Sequence, residues 1–431
     1  ARCRPETPEP WGDIFADLDS LIVPNLTHWQ HPGFFAYFPC NASGPGILGE
    51  LLSAGLNVNG MLWSTSPAAT ELETRVLDWC RTLLGLPDAF AGNGVIQGTA
   101  SESTLIALLA AKSRADAQTP CLITSDQAHS SVIKAAMIAG LASGPDDRSR
   151  VHIVRTHPDG SMDLADLRRI ADTLLADPDG PQPIMVSGTV GTTGTGAIDD
   201  IAGIRLTMDD ASRAATGEPW PGWLHIDAAW AGAAAVCPEH RHLLAGAEVA
   251  DSVCINPHKW LLTNFDCDLF WVRDRSALLD ALSITPEYLR NEQTDAGAVI
   301  DYRDWQIPLG RRFRALKLWF VLRHYGAEGL RAHIRRHVAW AGWFEQRVAA
   351  DNRFESVAPT RLALVCFALR AESPDKANAA TRDLLARVNE TGEVFLSHTA
   401  SPGSPPSGGR YTIRFTPGAT ATRFEHVERA W

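Results

Sequence analysis

Between about residue 90 and residue 275 short β-branched runs alternate with helical patterns, and that alternation calls for a mainly parallel sheet covered by helices. Cys121–Ser125, Val151–Val154, Ile184–Ser187, Trp223–Ile226, Val253–Ile255 and Leu269–Val272 read as strands. Between two of them Leu164, Leu167, Ile170, Ala171, Leu174 and Leu175 recur at helical spacing; Ser161 or Asp163 can cap this helix, and Pro178-Asp179-Gly180 ends it. From Arg312 the period changes, and Leu316, Leu318, Trp319, Val321 and Leu322, then Val338, Trp340, Trp343 and Phe344, predict a long amphipathic helix. Beyond it Arg361–Phe367, Val394–Leu396 and Tyr411–Phe415 read as strands around a helix near 376–389. The Ser/Pro/Gly-rich stretch 401–409 reads as a loop. A chain of 431 residues exceeds the length of a single core, so two packed units are expected. The expected class is α/β: an N-terminal segment over 1–43, a large mainly parallel sheet domain over 44–315 and a small C-terminal α+β domain over 316–431.

With 45% hydrophobic and 21% charged residues the composition is that of a globular protein. A formal net charge of -11 argues against a nucleic-acid or anionic-membrane partner and leaves small-molecule work as the better expectation. The eight cysteines (Cys3, Cys40, Cys80, Cys121, Cys237, Cys254, Cys267 and Cys366) show no C-x-x-C pair and sit mostly in apolar surroundings. Reduced thiols and a cytoplasmic location are expected from that pattern. No apolar stretch has the length of a membrane span, and the N-terminus lacks the apolar core of a signal peptide. The chain starts without Met and stops at Trp431 within a helical stretch that begins at Phe424, which suggests trimming at either end.

Three elements carry chemistry. Gly98-Thr99-Ala100-Ser101 opens a helix, where free amides, the helix dipole and small hydroxyl residues suit a phosphate; an ordinary Ser-capped helix fits the same residues. Asp227 ends an apolar strand, the place where ligands of open α/β sheets bind, although a lone Asp there also fits a turn or helix cap. Lys259 follows the apolar run Val253–Ile255 and has Trp260 and Leu261 beside it, flanks that a solvated surface lysine seldom has. A lysine in such a pocket loses its proton more readily and can form a Schiff base. Together the three call for pyridoxal 5′-phosphate (PLP), which needs a lysine, an acidic partner for its pyridine nitrogen and an anion site. The glycines of Gly92-Asn93-Gly94-Val95-Ile96-Gln97-Gly98 have the wrong spacing for a dinucleotide loop, and no P-loop or H-E-x-x-H occurs. His240 and His242 lack partners at metal spacing.

At this point the chain resembles the group II, fold-type I PLP decarboxylases, most of all the aromatic-L-amino-acid decarboxylase branch. The resemblance spans nearly the whole chain, from Thr27–Pro39 through Gly94–Gly98, Ser125–Ser131 and Asn256–Trp260 to Asp301–Phe313. It implies that Lys259 carries the cofactor, that Asp227 pairs with the pyridine nitrogen and that His129 stacks on the ring. It also implies that Ala100, Ser101 and His258 hold the phosphate with Asn256 nearby, and that Thr193 lies beside cofactor and substrate. Tyr288 matches the tyrosine that returns a proton to the α-carbon once CO2 has left. Related aldehyde synthases commonly carry Phe at that tyrosine or Asn at the ring-stacking histidine, so Tyr288 and His129 favour plain decarboxylation.

The resemblance places Trp29, Tyr37, Phe38, Pro39 and Phe265 in an aromatic substrate pocket and Arg414 near the substrate carboxylate. Gly310 matches a position where Gly accompanies indole or broad aromatic substrates, which points to tryptophan, 5-hydroxytryptophan or DOPA. Asn59 and Met61 replace a more apolar pair where a neighbouring subunit closes the pocket, and Trp230 replaces a common Tyr. A homodimer with the site at its interface is implied, although most of the family's N-terminal helical segment is missing before Pro8–Trp11. The competing readings are a histidine, glutamate or sulfinoalanine decarboxylase, an aromatic aldehyde synthase, and a PLP-binding protein without turnover.

Overall fold

The computed structural model describes residue 4 and residues 6–284, 299–401 and 409–431. Each of the six strand-like runs of the large unit forms a strand, and one further strand joins them. In chain order they are β1 (Gly94–Gln97), β2 (Pro120–Ser125), β3 (Val151–Val154), β4 (Gln182–Thr189), β5 (Trp223–Asp227), β6 (Ser252–Ile255) and β7 (Asp268–Val272). Their order across the sheet is β1-β7-β6-β5-β4-β2-β3. Neighbours from β3 to β6 pair in parallel, while β7 runs antiparallel to both β6 and β1. Strand β1 escaped the sequence reading because it begins at a glycine, ends at a glutamine and has only Val95 and Ile96 as a β-branched run.

Every residue of β2, β5, β6 and β7 is buried, which is why these strands read as unbroken apolar runs rather than as alternation. Among the described residues, eight helices longer than a single turn surround the sheet or precede it: α1 (Trp11–Asp17), α2 (Gly44–Leu56), α3 (Pro67–Leu84), α4 (Ala100–Arg114), α5 (Ser131–Ile138), α6 (Leu164–Leu175), α7 (Ile201–Thr216) and α8 (Ser276–Leu282). Leu105, Ile106 and Leu108 of α4 and Val132 of α5 pack with Leu122, Met185 and Phe270 on one face. Val76 of α3, Leu167 and Ile170 of α6 and Ile204 of α7 pack with Ile123, Val186 and Ile226 on the other. Adjacent strand residues thus serve opposite layers. Of the two candidate caps of α6, Asp163 is the one used: its carboxylate accepts from the Ala165 and Asp166 amides.

The long helix expected after Arg312 is α9 (Arg314–Ala350), broken at Gly326, whose φ of 60° and ψ of -178° are not helical. It leads to β8 (Phe354–Ser356), β9 (Val365–Leu369), α10 (Pro374–Glu390), β10 (Ser397–Ala400), β11 (Tyr411–Phe415) and α11 (Phe424–Ala430). The four strands form an antiparallel sheet in the order β10-β11-β9-β8. The strand expected at Val394–Leu396 forms three residues later, because Phe395 instead bridges Phe34 of the N-terminal segment. That bridge, together with the Tyr37 amide donating to Ser397 Oγ at 2.9 Å, ties the segment holding Phe38 to the small sheet. Among the described residues no helix is long and apolar enough to cross a membrane.

Candidate active site

Parallel strands β4, β5 and β6 end side by side. The register places Thr189, the last residue of β4, opposite Asp227, the last of β5, and Asp227 opposite Cys254 of β6. The chain leaves β6 through Asn256 into the single helical turn Pro257–Trp260, which presents His258 and Lys259 at the same edge. From β1 it passes Gly98 into α4, whose N-cap Thr99 makes no side-chain capping bond. His129 comes from the turn between β2 and α5. Thr99, His129, Thr189, Asp227, Asn256, His258 and Lys259 line one cavity of about 200 Å³, closed on its other sides by Thr193, Phe38, Trp230 and Phe265.

Asp227 is buried, and its Oδ1 accepts from the Ala229 amide at 3.1 Å. Lys259 Nζ lies 5.7 Å from the centroid of the Phe38 ring and makes no hydrogen bond among the described residues. The Arg414 guanidinium approaches the same ring at 5.0 Å, so two cations meet one aromatic wall. Arg414 is itself fixed by the Gly194 carbonyl at 3.0 Å, the Tyr37 carbonyl at 3.2 Å and Ser397 Oγ at 2.9 Å. Behind Phe38 the rings continue: Trp230 stacks on it at 4.2 Å, Trp260 stacks on Trp230 at 5.1 Å, and Trp260 Nε1–H donates to His337 Nδ1 at 3.0 Å.

Burial lowers the pKa of His129, and its Nδ1 accepts from the Ser131 amide at 3.2 Å, which leaves a neutral ring with its proton on Nε2. Burial and the nearby Lys259 push His258 down to about 3, and contacts from its Nδ1 to the Cys267 amide (3.0 Å) and carbonyl (2.7 Å) fix the ring. Gly191 has a φ of 91°, and a Cβ there would stand 2.4 Å from the Ala231 Cβ, so only glycine lets the Gly191–Thr193 turn run beside the cavity.

Asn256 Oδ1 and Thr189 Oγ1 are buried at this cavity without hydrogen-bond partners among the described residues, leaving polar valences for a bound molecule. An anion site at a helix start, a buried acid and a free amine are what PLP requires, so the residues present fit that group. The description "Pyridoxal-dependent decarboxylase conserved domain" matches residues 2–370. The chain belongs to the pyridoxal-dependent decarboxylases. This decarboxylase is 44% identical over 442 residues to tyrosine decarboxylase 2 of Narcissus pseudonarcissus, covering 99% of this chain and 84% of that protein. It is 43% identical over 440 residues to phenylacetaldehyde synthase of Arabidopsis thaliana, covering 99% and 86%. Among solved structures, that of Oryza sativa TDC with PLP and tryptamine superposes with a TM-score of 0.89 at 38% identity, covering all of this chain and 88% of that one. PLP is the cofactor, and the fold is that of the fold-type I enzymes.

The structure brings together all the residues expected around the cofactor: Ala100, Ser101, His129, Thr193, Asp227, Asn256, His258 and Lys259 line the decarboxylase cavity. Of the expected substrate residues, Phe38 and Phe265 line it and Arg414 reaches it through Phe38. Trp29 and Tyr37 stack on each other at 5.5 Å beside Pro39 and are 37% and 51% exposed. Asn59, Met61 and Gly310 do not line the cavity. Asn59 Oδ1 accepts from the Arg311 amide, the Met61 carbonyl accepts from the Arg303 amide, and a Cβ on Gly310 would meet nothing within 4 Å. Tyr288 lies outside the described residues. The sequence reading did not single out Thr189, although its place at the end of a parallel strand beside Asp227 is the available signal. No group of metal-ligating side chains occurs among the described residues.

Proposed function

We propose that this decarboxylase converts an aromatic L-amino acid, namely tryptophan, 5-hydroxytryptophan or DOPA, to its arylalkylamine and CO2. The observation that carries this reading is the aromatic wall of Phe38, Trp230 and Phe265 in the same cavity as Lys259 and Asp227. When bound, PLP supplies an electron sink for the pair left behind as CO2 departs. The chain's own residues do the rest. Lys259 would hold the cofactor through its side-chain amine. Asp227 keeps a proton on the pyridine nitrogen. The start of α4 at Ala100 and Ser101, with His258 and Asn256, holds the phosphate. Neutral His129 packs on the ring, Thr193 borders cofactor and substrate, Arg414 serves the carboxylate side, and Tyr288 delivers the proton to the α-carbon. In this reading residues 44–315 carry the cofactor and residues 316–431 bring Arg414 to it.

A homodimer is part of the proposal. The exposed apolar side chains of the N-terminal segment and α2, such as Trp11 (73%), Leu21 (56%), Leu26 (55%), Leu51 (65%) and Leu56 (60%), form a surface that water disfavours and a second copy would cover. Asn59 and Met61, just beyond α2, then face the partner's cavity. The free thiols of Cys40, Cys80, Cys121, Cys237, Cys254, Cys267 and Cys366 suit a reducing, cytoplasmic setting.

A second reading, oxidation to an aromatic aldehyde, is favoured by the kinship with phenylacetaldehyde synthase. Tyr288 and His129 argue for the amine. The test is to incubate the purified protein and PLP with tryptophan, DOPA, tyrosine, histidine and glutamate in turn, and to assay amine, aldehyde and peroxide. Tryptamine or dopamine without peroxide is expected, and Tyr288→Phe should move product towards aldehyde. Histamine or γ-aminobutyrate as the main product would refute the substrate class, and peroxide from the unaltered enzyme would establish the second reading.

A further inference from the structure

On the sheet face covered by α4, β5 and β6 carry a row of polar side chains that leads away from the cavity. Residues two apart on a strand share a face, so Trp223, His225 and Asp227 of β5 align, as do Ser252 and Cys254 of β6. The parallel register then sets His225 beside Ser252 and Asp227 beside Cys254. All five are buried. Trp223 Nε1–H, which can only donate, is 2.7 Å from Ser252 Oγ. Ser252 Oγ in turn lies 2.8 Å from His225 Nδ1, its only other partner among the described residues, so the hydroxyl proton points to the imidazole. Complete burial holds His225 neutral, with a pKa lowered to about 4, which puts its single proton on Nε2. Nε2 faces Cys254 Sγ at 3.9 Å, and Cys254 Sγ donates to Asp227 Oδ1 at 3.8 Å. Burial and the adjacent Asp268 and Asp227 keep this thiol protonated.

We infer that Trp223, Ser252, His225 and Cys254 form a one-way hydrogen-bond relay ending on Asp227, which orients that carboxylate, and that His225 is therefore a positioning residue for cofactor binding. The inference rests on the reading of Asp227 as the partner of the pyridine nitrogen. Each donor points the same way, so the row presents partial positive charge to one buried carboxylate, and the donors themselves are neutral. His129 acts on Asp227 from the cavity that Lys259 also lines, and Asp268, itself pushed up by burial, acts from β7. The relay thus separates two tasks: Lys259 meets the cofactor's reacting end, while β5 and β6 fix the charge at its ring nitrogen.

The test uses apoprotein titrated with PLP, and holoenzyme carrying PLP labelled with nitrogen-15 at the ring, whose resonance reports protonation of that nitrogen. Ser252→Ala leaves His225 Nδ1 without its donor, and Cys254→Ala removes the last link; neither side chain lines the cavity. Each is expected to raise the PLP dissociation constant roughly three- to tenfold and to shift the nitrogen resonance towards the unprotonated value. The double variant should be no worse than the stronger single one, because Ser252 reaches Asp227 only through His225 and then Cys254. Apoprotein melting curves identify variants that fold, and if His225→Leu does not, Ser252→Ala and Cys254→Ala still decide the matter. Unchanged affinity and resonance, or strictly additive effects, would overturn the relay. Asp227→Asn separates the two levels: if it weakens PLP binding and moves the resonance while the relay variants do neither, only the relay fails. If it changes nothing, the assignment of Asp227 fails with it.

Discussion

Trp230 is 2% exposed and lies between Phe38 on the cavity side and Trp260 on the other, so the position of the Phe38 wall depends on it. Replacing the indole with alanine would remove a core side chain at a cost of about 3–5 kcal/mol, too much for a clean functional test. Trp230→Phe keeps an aromatic face for both neighbours and leaves a smaller void. It is expected to raise KM for tryptophan several-fold while kcat stays within about twofold, because the wall touches the substrate ring equally in the ground and transition states. Steady-state decarboxylation kinetics check this, and an unchanged KM would show that Phe38 holds its place unaided. Of the cavity residues, Asp227, Lys259 and the start of α4 were legible in the sequence because each stands in a short motif at a strand end or helix start, whereas His129, Thr193, Asn256 and His258 came only with the family resemblance. Trp230 was visible only as a departure from the family, since its partner Phe38 is remote in the chain and stacking has no sequence signature. Thr189 had no such flag, because a buried strand-end threonine looks like any other β-branched residue.

Helix α9 shows the same limit one level up. The apolar spacing predicted a helix running on from Arg312, and a helix is there, but its geometry breaks at Gly326. A φ of 60° with a ψ of -178° belongs to a region essentially reserved for glycine, and a Cβ at Gly326 would meet nothing within 4 Å. The cost of Gly326→Ala is therefore purely one of backbone conformation, about 1–3 kcal/mol. A urea titration should show a lower midpoint with an unaltered slope, and PLP affinity should not change, because the break is remote from the cavity lining. An unchanged midpoint would mean that the chain can adopt a regular helix there at no cost. Nothing in the local sequence Tyr325-Gly326-Ala327 distinguishes a tolerated helical glycine from one that redirects the axis, since the choice is made by what each half packs against. The small sheet behaves alike: β10 begins at Ser397 rather than Val394 because Phe395 is drawn into a bridge with Phe34, a contact invisible to any local window.

Across the whole molecule, four histidines among the described residues are buried with pKa values lowered chiefly by desolvation: His225 to about 4, His258 and His333 to about 3, and His337 well below the usual range. An unfolded histidine takes up a proton near pH 6.5, whereas these folded ones resist until the pH is far lower. Between about pH 6.5 and about pH 4 the unfolded chain therefore binds more protons than the folded one. The stability these groups confer is fully present above about pH 6.5 and is lost as the pH falls. Asp199, raised to about 6 by burial, opposes the trend over the lower part of that range, so the net curve does not isolate the histidines. His333 lies away from the cavity, its Nε2 has no hydrogen-bond partner among the described residues, and its ring packs on that of His337 at 4.3 Å, so a variant there reports on this buried pair. In His333→Leu a histidine that must stay neutral gives way to an apolar side chain, so little stability should be lost near pH 7.5, where the unpaired nitrogen is already a cost. As the pH falls towards about 5, the variant should become more stable than the parent by an increment that grows with each step. Urea titrations of the two apoproteins across that range measure the difference directly. A constant difference would mean that His333 gains its proton as readily in the folded protein as in the unfolded chain.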